Sequence, residues 1–139
     1  MIRPRSILRL MVSNLSTVAM ISLSLSCGDP TYRPPAISIA FSPGFAPPAS
    51  LDTGAYAGIA ATVNNDLQNG GVSFSCTPVG QCGMFVGPGG ASGIPLCYLA
   101  PDSVPPGNNV TITVTARSDT TKSVSAMTTI VNGPPNPCP

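Results

Sequence analysis

Histidine, glutamate and tryptophan are missing from these 139 residues, and charged side chains of any kind make up only 8%. Without an imidazole, a serine or cysteine nucleophile lacks its usual general base, so no catalytic triad can be assembled. A blue-copper centre is excluded too, because it takes two imidazoles and a thiolate. The five aspartates, Asp29, Asp52, Asp66, Asp102 and Asp119, are scattered and mostly lie near Pro, Gly or Asn, where a carboxylate usually serves a turn. No two of them form a recognisable acid pair for hydrolysis. The expectation is a protein that is not an enzyme and carries no cofactor.

Cations are few and unevenly placed. Arg3, Arg5 and Arg9 fall in the first nine positions; beyond Ser26 only Arg33, Arg117 and Lys122 remain against the five aspartates, a net charge of −2. A chain with that balance and no basic patch does not neutralise a phosphate backbone, so no nucleic-acid partner is expected. The early arginines instead open a leader pattern over residues 1–26: a basic start, an apolar stretch over 15–25, and a small-residue boundary at Ser24-Leu25-Ser26. Ser16, Thr17, Ser22 and Ser24 make that stretch a poor permanent membrane span, which predicts a cleaved signal peptide.

Cys27 follows the boundary directly, and Leu23-Ser24-Leu25-Ser26-Cys27 resembles the lipobox of bacterial lipoproteins, whose cysteine thiol takes a diacylglycerol. Ser24 stands where that motif usually has Leu. The resemblance implies lipid attachment at Cys27 and a protein held at the cell envelope, with a membrane as partner through its N-terminal lipid. Ser24 and Ser26 also suit an ordinary signal peptidase, which would give a freely secreted protein.

Export leads to an oxidising compartment, so Cys76, Cys82, Cys97 and Cys138 are read as disulfide candidates. A zinc site from the same four lacks any Cys-x-x-Cys pair. Cys76 and Cys82 lie at the end of one strand pattern and the start of the next, which predicts a local bridge worth about 2 kcal/mol in the chain-entropy model. Cys97 alternates out of phase with Leu96 and Tyr98 and is expected to face outward, within reach of Cys138 on the Pro-rich tail over 133–139.

Strand grammar fills the rest. Residues 27–36 form a proline-bearing tether. Ile37, Ile39 and Phe41 then alternate with small polar residues up to Pro43-Gly44, and Ile59, Ala61 and Val63 share one face of a second run over 57–63. Asn69-Gly70-Gly71 is a strong turn signal, predicting a hairpin into the alternation of Val72, Phe74 and Cys76. Ile94, Leu96 and Tyr98 alternate next. Val110, Ile112, Val114 and Ala116 follow against Thr111, Thr113 and Thr115, and the run over 123–131 puts Val124, Ala126 and Ile130 on one face. Such one-face-apolar strands, with no helical periodicity after the leader, predict an all-β sandwich of about seven strands.

The ordered set Ile37-Ser38-Ile39, Thr62-Val63-Asn64-Asn65-Asp66, Gly71-Val72-Ser73-Phe74-Ser75, Cys82-Gly83, Tyr98-Leu99-Ala100-Pro101, Val104-Pro105, Val110 through Ala116 and Thr121-Lys122-Ser123-Val124-Ser125-Ala126 is similar to bacterial immunoglobulin-like (Big-type) repeats. The resemblance implies an immunoglobulin-like sandwich over 37–132 and a surface or envelope compartment, and it carries over no catalytic residue. Phe74 stands where the family usually has Trp, and Thr128 occupies an inward position that is normally apolar.

Other segments bear on partners. Asp66 with Asn64 and Asn65 offers oxygen ligands for calcium, but the same residues suit a turn cap. The glycine-rich segment 83–93 opens no helix and reads as a flexible loop and contact surface rather than a phosphate cradle. The expected role is a non-catalytic, structural, adhesive or protein-binding module with surface proteins or glycans as partners. The alternative is a secreted carbohydrate-binding module. Such modules offer a platform of exposed aromatics, whereas Tyr32, Tyr56 and Tyr98 are scattered here and Tyr98 is expected to point inward.

Overall fold

The computed structural model describes residues 33–134. The leader, Cys27, most of the tether and Cys138 lie outside the described residues. Within them the chain is all-β, with nine strands: β1 (Ser38–Phe41), β2 (Ser50–Asp52), β3 (Tyr56–Ile59), β4 (Ala61–Asn64), β5 (Val72–Thr77), β6 (Met84–Val86), β7 (Leu96–Leu99), β8 (Asn109–Ala116) and β9 (Ser123–Val131). The sequence pattern predicts about seven and names six runs; the short strands β2 and β6 and the division of one run into β3 and β4 bring those six to nine.

Three hydrogen-bonded sheets, β1-β4, β3-β7-β6 and β2-β9-β8-β5, make two layers. β3 and β4 run on from each other through Ala60, so the first two sheets form one layer broken at that residue. There the chain pairs with an irregular stretch instead of a strand: Ser42 N–H donates to the Ala60 carbonyl at 2.9 Å, and Ala60 N–H to the Phe45 carbonyl at 3.0 Å. The pairing β1-β4 and β3-β7-β6 on one side, with β9-β8-β5 on the other, is the strand distribution of an immunoglobulin-like sandwich. β2 lies parallel to β9 at the edge of the second layer.

Alternation explains the core. Val110, Ile112, Val114 and Ala116 of β8 are fully buried, whereas the threonines between them face out. Each of the three large aliphatics contributes roughly 1.5–3 kcal/mol through burial. Two clusters result, one around Ile59, Tyr98, Ile112 and Ile130, the other around Ala61, Val63, Val72 and Val114. Half-buried Phe41 and Phe74 pack against both and join them.

Several expectations are corrected. The turn at 65–71 forms, with Asp66 accepting from Gln68 N–H at 3.1 Å and Gly70 N–H at 2.9 Å, but it closes no hairpin. β4 pairs with β1 and β5 with β8, because Val63 and Val72 bury their side chains between the layers rather than side by side in one sheet. The Cys76–Cys82 segment is likewise a crossing between layers. Part of the glycine-rich segment is β6, and Gly90 is buried where its carbonyl accepts from Val72 N–H at 2.6 Å. Gly71, at φ +73°, makes this approach possible, since a Cβ there would overlap the Gly90 oxygen.

Candidate functional site

Cys76 is next to last in β5 and Cys82 lies two residues before β6; their sulfurs are bonded, with the Cα atoms 5.8 Å apart. The predicted bridge is therefore present, and it ties one layer to the other. Cys82 is buried, and its backbone carbonyl accepts a hydrogen bond from the Tyr98 phenol. Burial pushes the Tyr98 hydroxyl up to about 12. The rings of Phe74, Phe85 and Tyr98 follow one another at centroid spacings of 5.2 Å. Tyr98 thus faces inward, as its alternation predicts, and the aromatic row belongs to the core.

This anchored crossing forms one wall of a cleft. Gly83, at φ +83°, lets the segment lie against β7; a Cβ there would overlap the Leu99 carbonyl oxygen. Facing it is the proline-bearing segment 101–106. Between them lies a space of about 660 Å³. Met84, Val104 and Pro105 give it apolar surface, and Gln81, Asp102 and Ser103 supply polar groups. Such a cleft offers hydrogen bonds and apolar contact. Among the described residues Asp102 is the one carboxylate lining it.

The other surface of note is the outer face of β5-β8-β9. Register places Ser73, Thr115 and Ser123 in one row and Ser75, Thr113 and Ser125 in the next. Thr113 and Ser125 share a hydrogen bond of 2.8 Å. None of the three strands carries a charged side chain. At the β8–β9 turn Asp119 accepts from the Thr121 hydroxyl and N–H, which hold its carboxyl below the usual range.

Of the predicted site residues, the structure brings together Cys76 and Cys82. Cys97 sits half-buried on β7 rather than fully outward, and it is disulfide-bonded. Cys27 and Cys138 lie outside those residues too. Among the described residues no group of three or more potential metal ligands comes together, and both Asp66 oxygens are engaged by backbone N–H groups. No sequence pattern announces the cleft: Gln81 and Asp102 are distant in the chain, and the crossing from β5 to β6 brings both to its lining. Comparison with protein-family models, curated proteins and solved structures finds no match.

Proposed function

We propose that this chain is a non-catalytic immunoglobulin-like module of the bacterial Big type, exported and held at the cell envelope by a lipid on Cys27. The observation that carries export is the Cys76–Cys82 bridge, since such bonds persist in oxidising compartments. Anchoring is supported by the place of Cys27, after a small-residue boundary and a short way ahead of β1 at Ser38. The proline-bearing tether then holds the sandwich off the membrane.

The module's role is structural, adhesive or protein-binding, with surface proteins or glycans as contacts. The cleft between residues 80–84 and 99–106 supports binding rather than turnover, offering a few polar groups and apolar walls around a single carboxylate. The second disulfide joins Cys97 to Cys138. A carbohydrate-binding role is the less supported alternative, because Tyr98 and the rings beside it are spent on the core.

The test is intact mass of the native protein with membrane fractionation, beside a Cys27→Ala variant. Lipid-modified mass and loss of membrane association in the variant are expected. An unmodified Cys27 N-terminus in the soluble fraction would overturn the anchor and leave a secreted module. A glycan array on the same protein separates the carbohydrate alternative.

A further inference from the structure

The register of β5 decides which of its backbone groups are used. Arg117 N–H donates to the Gly71 carbonyl at 3.0 Å, and Gly71 and Arg117 extend the β5–β8 register, so they form a hydrogen-bonded pair. By alternation Ser73, Ser75 and Thr77 are the β5 residues that bond to β8. Val72, Phe74 and Cys76 then aim their N–H and C=O groups away from the sheet. Val72 N–H is taken by the Gly90 carbonyl. For Phe74 and Cys76 no such bond exists among the described residues, and β5 is the last strand of its sheet.

Strand edges of this kind are usually guarded by a charge, a proline or a bulge. β5 reads Val-Ser-Phe-Ser-Cys-Thr, with no charge and no proline, and its register with β8 runs from Val72 to Thr77 without a bulge. Its guards stand only at the ends, where Gly90 covers Val72 and the bridge to Cys82 holds Cys76.

We infer that this edge pairs antiparallel with the β5 edge of a second copy of the chain. A two-fold axis at Ser75 sets Phe74 opposite Cys76 of the partner subunit, and the reverse. Each of these residues then donates once and accepts once. Ser75 faces its own copy across the axis, and Ser73 faces Thr77 of the partner subunit. The uncharged strand meets an identical uncharged strand, so no like charges are opposed, while a charged partner would find no counterpart there. The product is one continuous sheet whose outer face carries the hydroxyl rows of both copies. Lipid attachment is not required for it.

Ser75 points to solvent, so substitutions there test the pairing without entering the core. Directly opposed residues at the axis form a non-hydrogen-bonded pair with Cα atoms about 4.5 Å apart, within disulfide reach. In the full-length chain, Ser75→Cys should give a covalent dimer on mild oxidation, and peptide mapping should recover two copies of the β5 peptide joined through the introduced sulfurs. Ser123→Cys, on β9 and away from the edge, is the control. Sedimentation velocity over a concentration series should show the unsubstituted chain shifting toward twice its mass. Ser75→Lys and Ser75→Asp should each weaken that association by roughly tenfold or more, and mixing the two should restore it. If Ser75→Lys fails to fold, the cysteine variants still decide. Cross-linking of Ser75→Cys no greater than that of the control would overturn the proposal. So would capture of a different protein at that position in place of a second copy.

Discussion

The Tyr98 phenol donates to the carbonyl of Cys82, the residue whose sulfur ties the crossing segment to β5. One side chain from the middle of β7 therefore satisfies a buried backbone acceptor at the point where the chain passes between layers. A ring of this size fills the space between Phe85 and the aliphatic core, and the hydroxyl fixes its depth. Tyr98→Phe keeps the ring and leaves the Cys82 carbonyl unpaired. The expected loss is about 1–3 kcal/mol of stability, read as a lower urea midpoint with unchanged slope. A variant as stable as the parent would mean that the carbonyl finds another partner.

The same hydroxyl makes stability depend on alkaline pH. Its folded value, about 12, lies above the ordinary value of 10.0, so folding favours the protonated phenol. Stability from this group is complete below about pH 10 and is lost as pH rises through about 12. Between those limits the unfolded chain binds fewer protons than the folded one, and the loss reaches on the order of 2 kcal/mol. Thermal midpoints of the parent should fall over that window more steeply than those of Tyr98→Phe. Parallel curves for the two proteins would refute the assignment.

Thr128 presents the opposite case, a fully buried hydroxyl with no hydrogen-bond partner among the described residues, set in β9 opposite Val110. Removing an unsatisfied polar atom recovers its desolvation cost. Thr128→Val keeps the branched shape and should stabilise the domain by about 1 kcal/mol, a rise of roughly 4–8 °C in thermal midpoint for a domain of this size. A lower midpoint would show that the hydroxyl does have a partner, such as an internal water.

Gly71 is fixed by two independent constraints, a left-handed backbone and the Gly90 oxygen lying where a Cβ would go. Gly71→Ala must break the Val72–Gly90 hydrogen bond or push residues 87–91 away, and should cost more than about 3 kcal/mol or leave no soluble protein. Gly58→Ala is the control, since the nearest atoms there stand at 3.6 Å, in ordinary contact. Equal circular dichroism melting curves for the two variants would count against the close approach.

Much of this was legible in the sequence, and the rest was not for identifiable reasons. The alternation in β8 names its buried residues, and that in β9 names its inward face, where Ile130 is buried and Val124 and Ala126 are half-buried, because a strand flanked on both sides repeats its pattern over eight or nine positions. The Cys76–Cys82 bridge was readable because its partners are close in the chain. Pairing was harder: Asn69-Gly70-Gly71 signals a turn whether the next strand joins the same sheet or crosses to the other, so the expected hairpin did not follow. β6 has only three residues, too few to show a period inside a glycine-rich segment. The cleft at Gln81 and Asp102 depends on that crossing and has no local signature.

Phe74 joins both core clusters and packs at a tilt against Phe85 with centroids 5.2 Å apart, although its own side chain is only half-buried. Truncation therefore removes contacts from two groups of residues at once, and it falls on β5, between the Gly90 contact and the disulfide. The cost of a core aromatic truncation is about 3–5 kcal/mol, and partial exposure puts Phe74→Ala toward the lower end. Against the marginal stability of a domain this small, that is enough to lower the thermal midpoint by more than roughly 10 °C. The intact bridge should keep the variant compact enough to refold, so reversible melting under non-reducing conditions is the suitable measurement. With the bridge reduced, the same substitution should leave the chain largely unfolded at ambient temperature. A shift of only a degree or two under non-reducing conditions would mean that Phe41 alone is sufficient to join the two clusters.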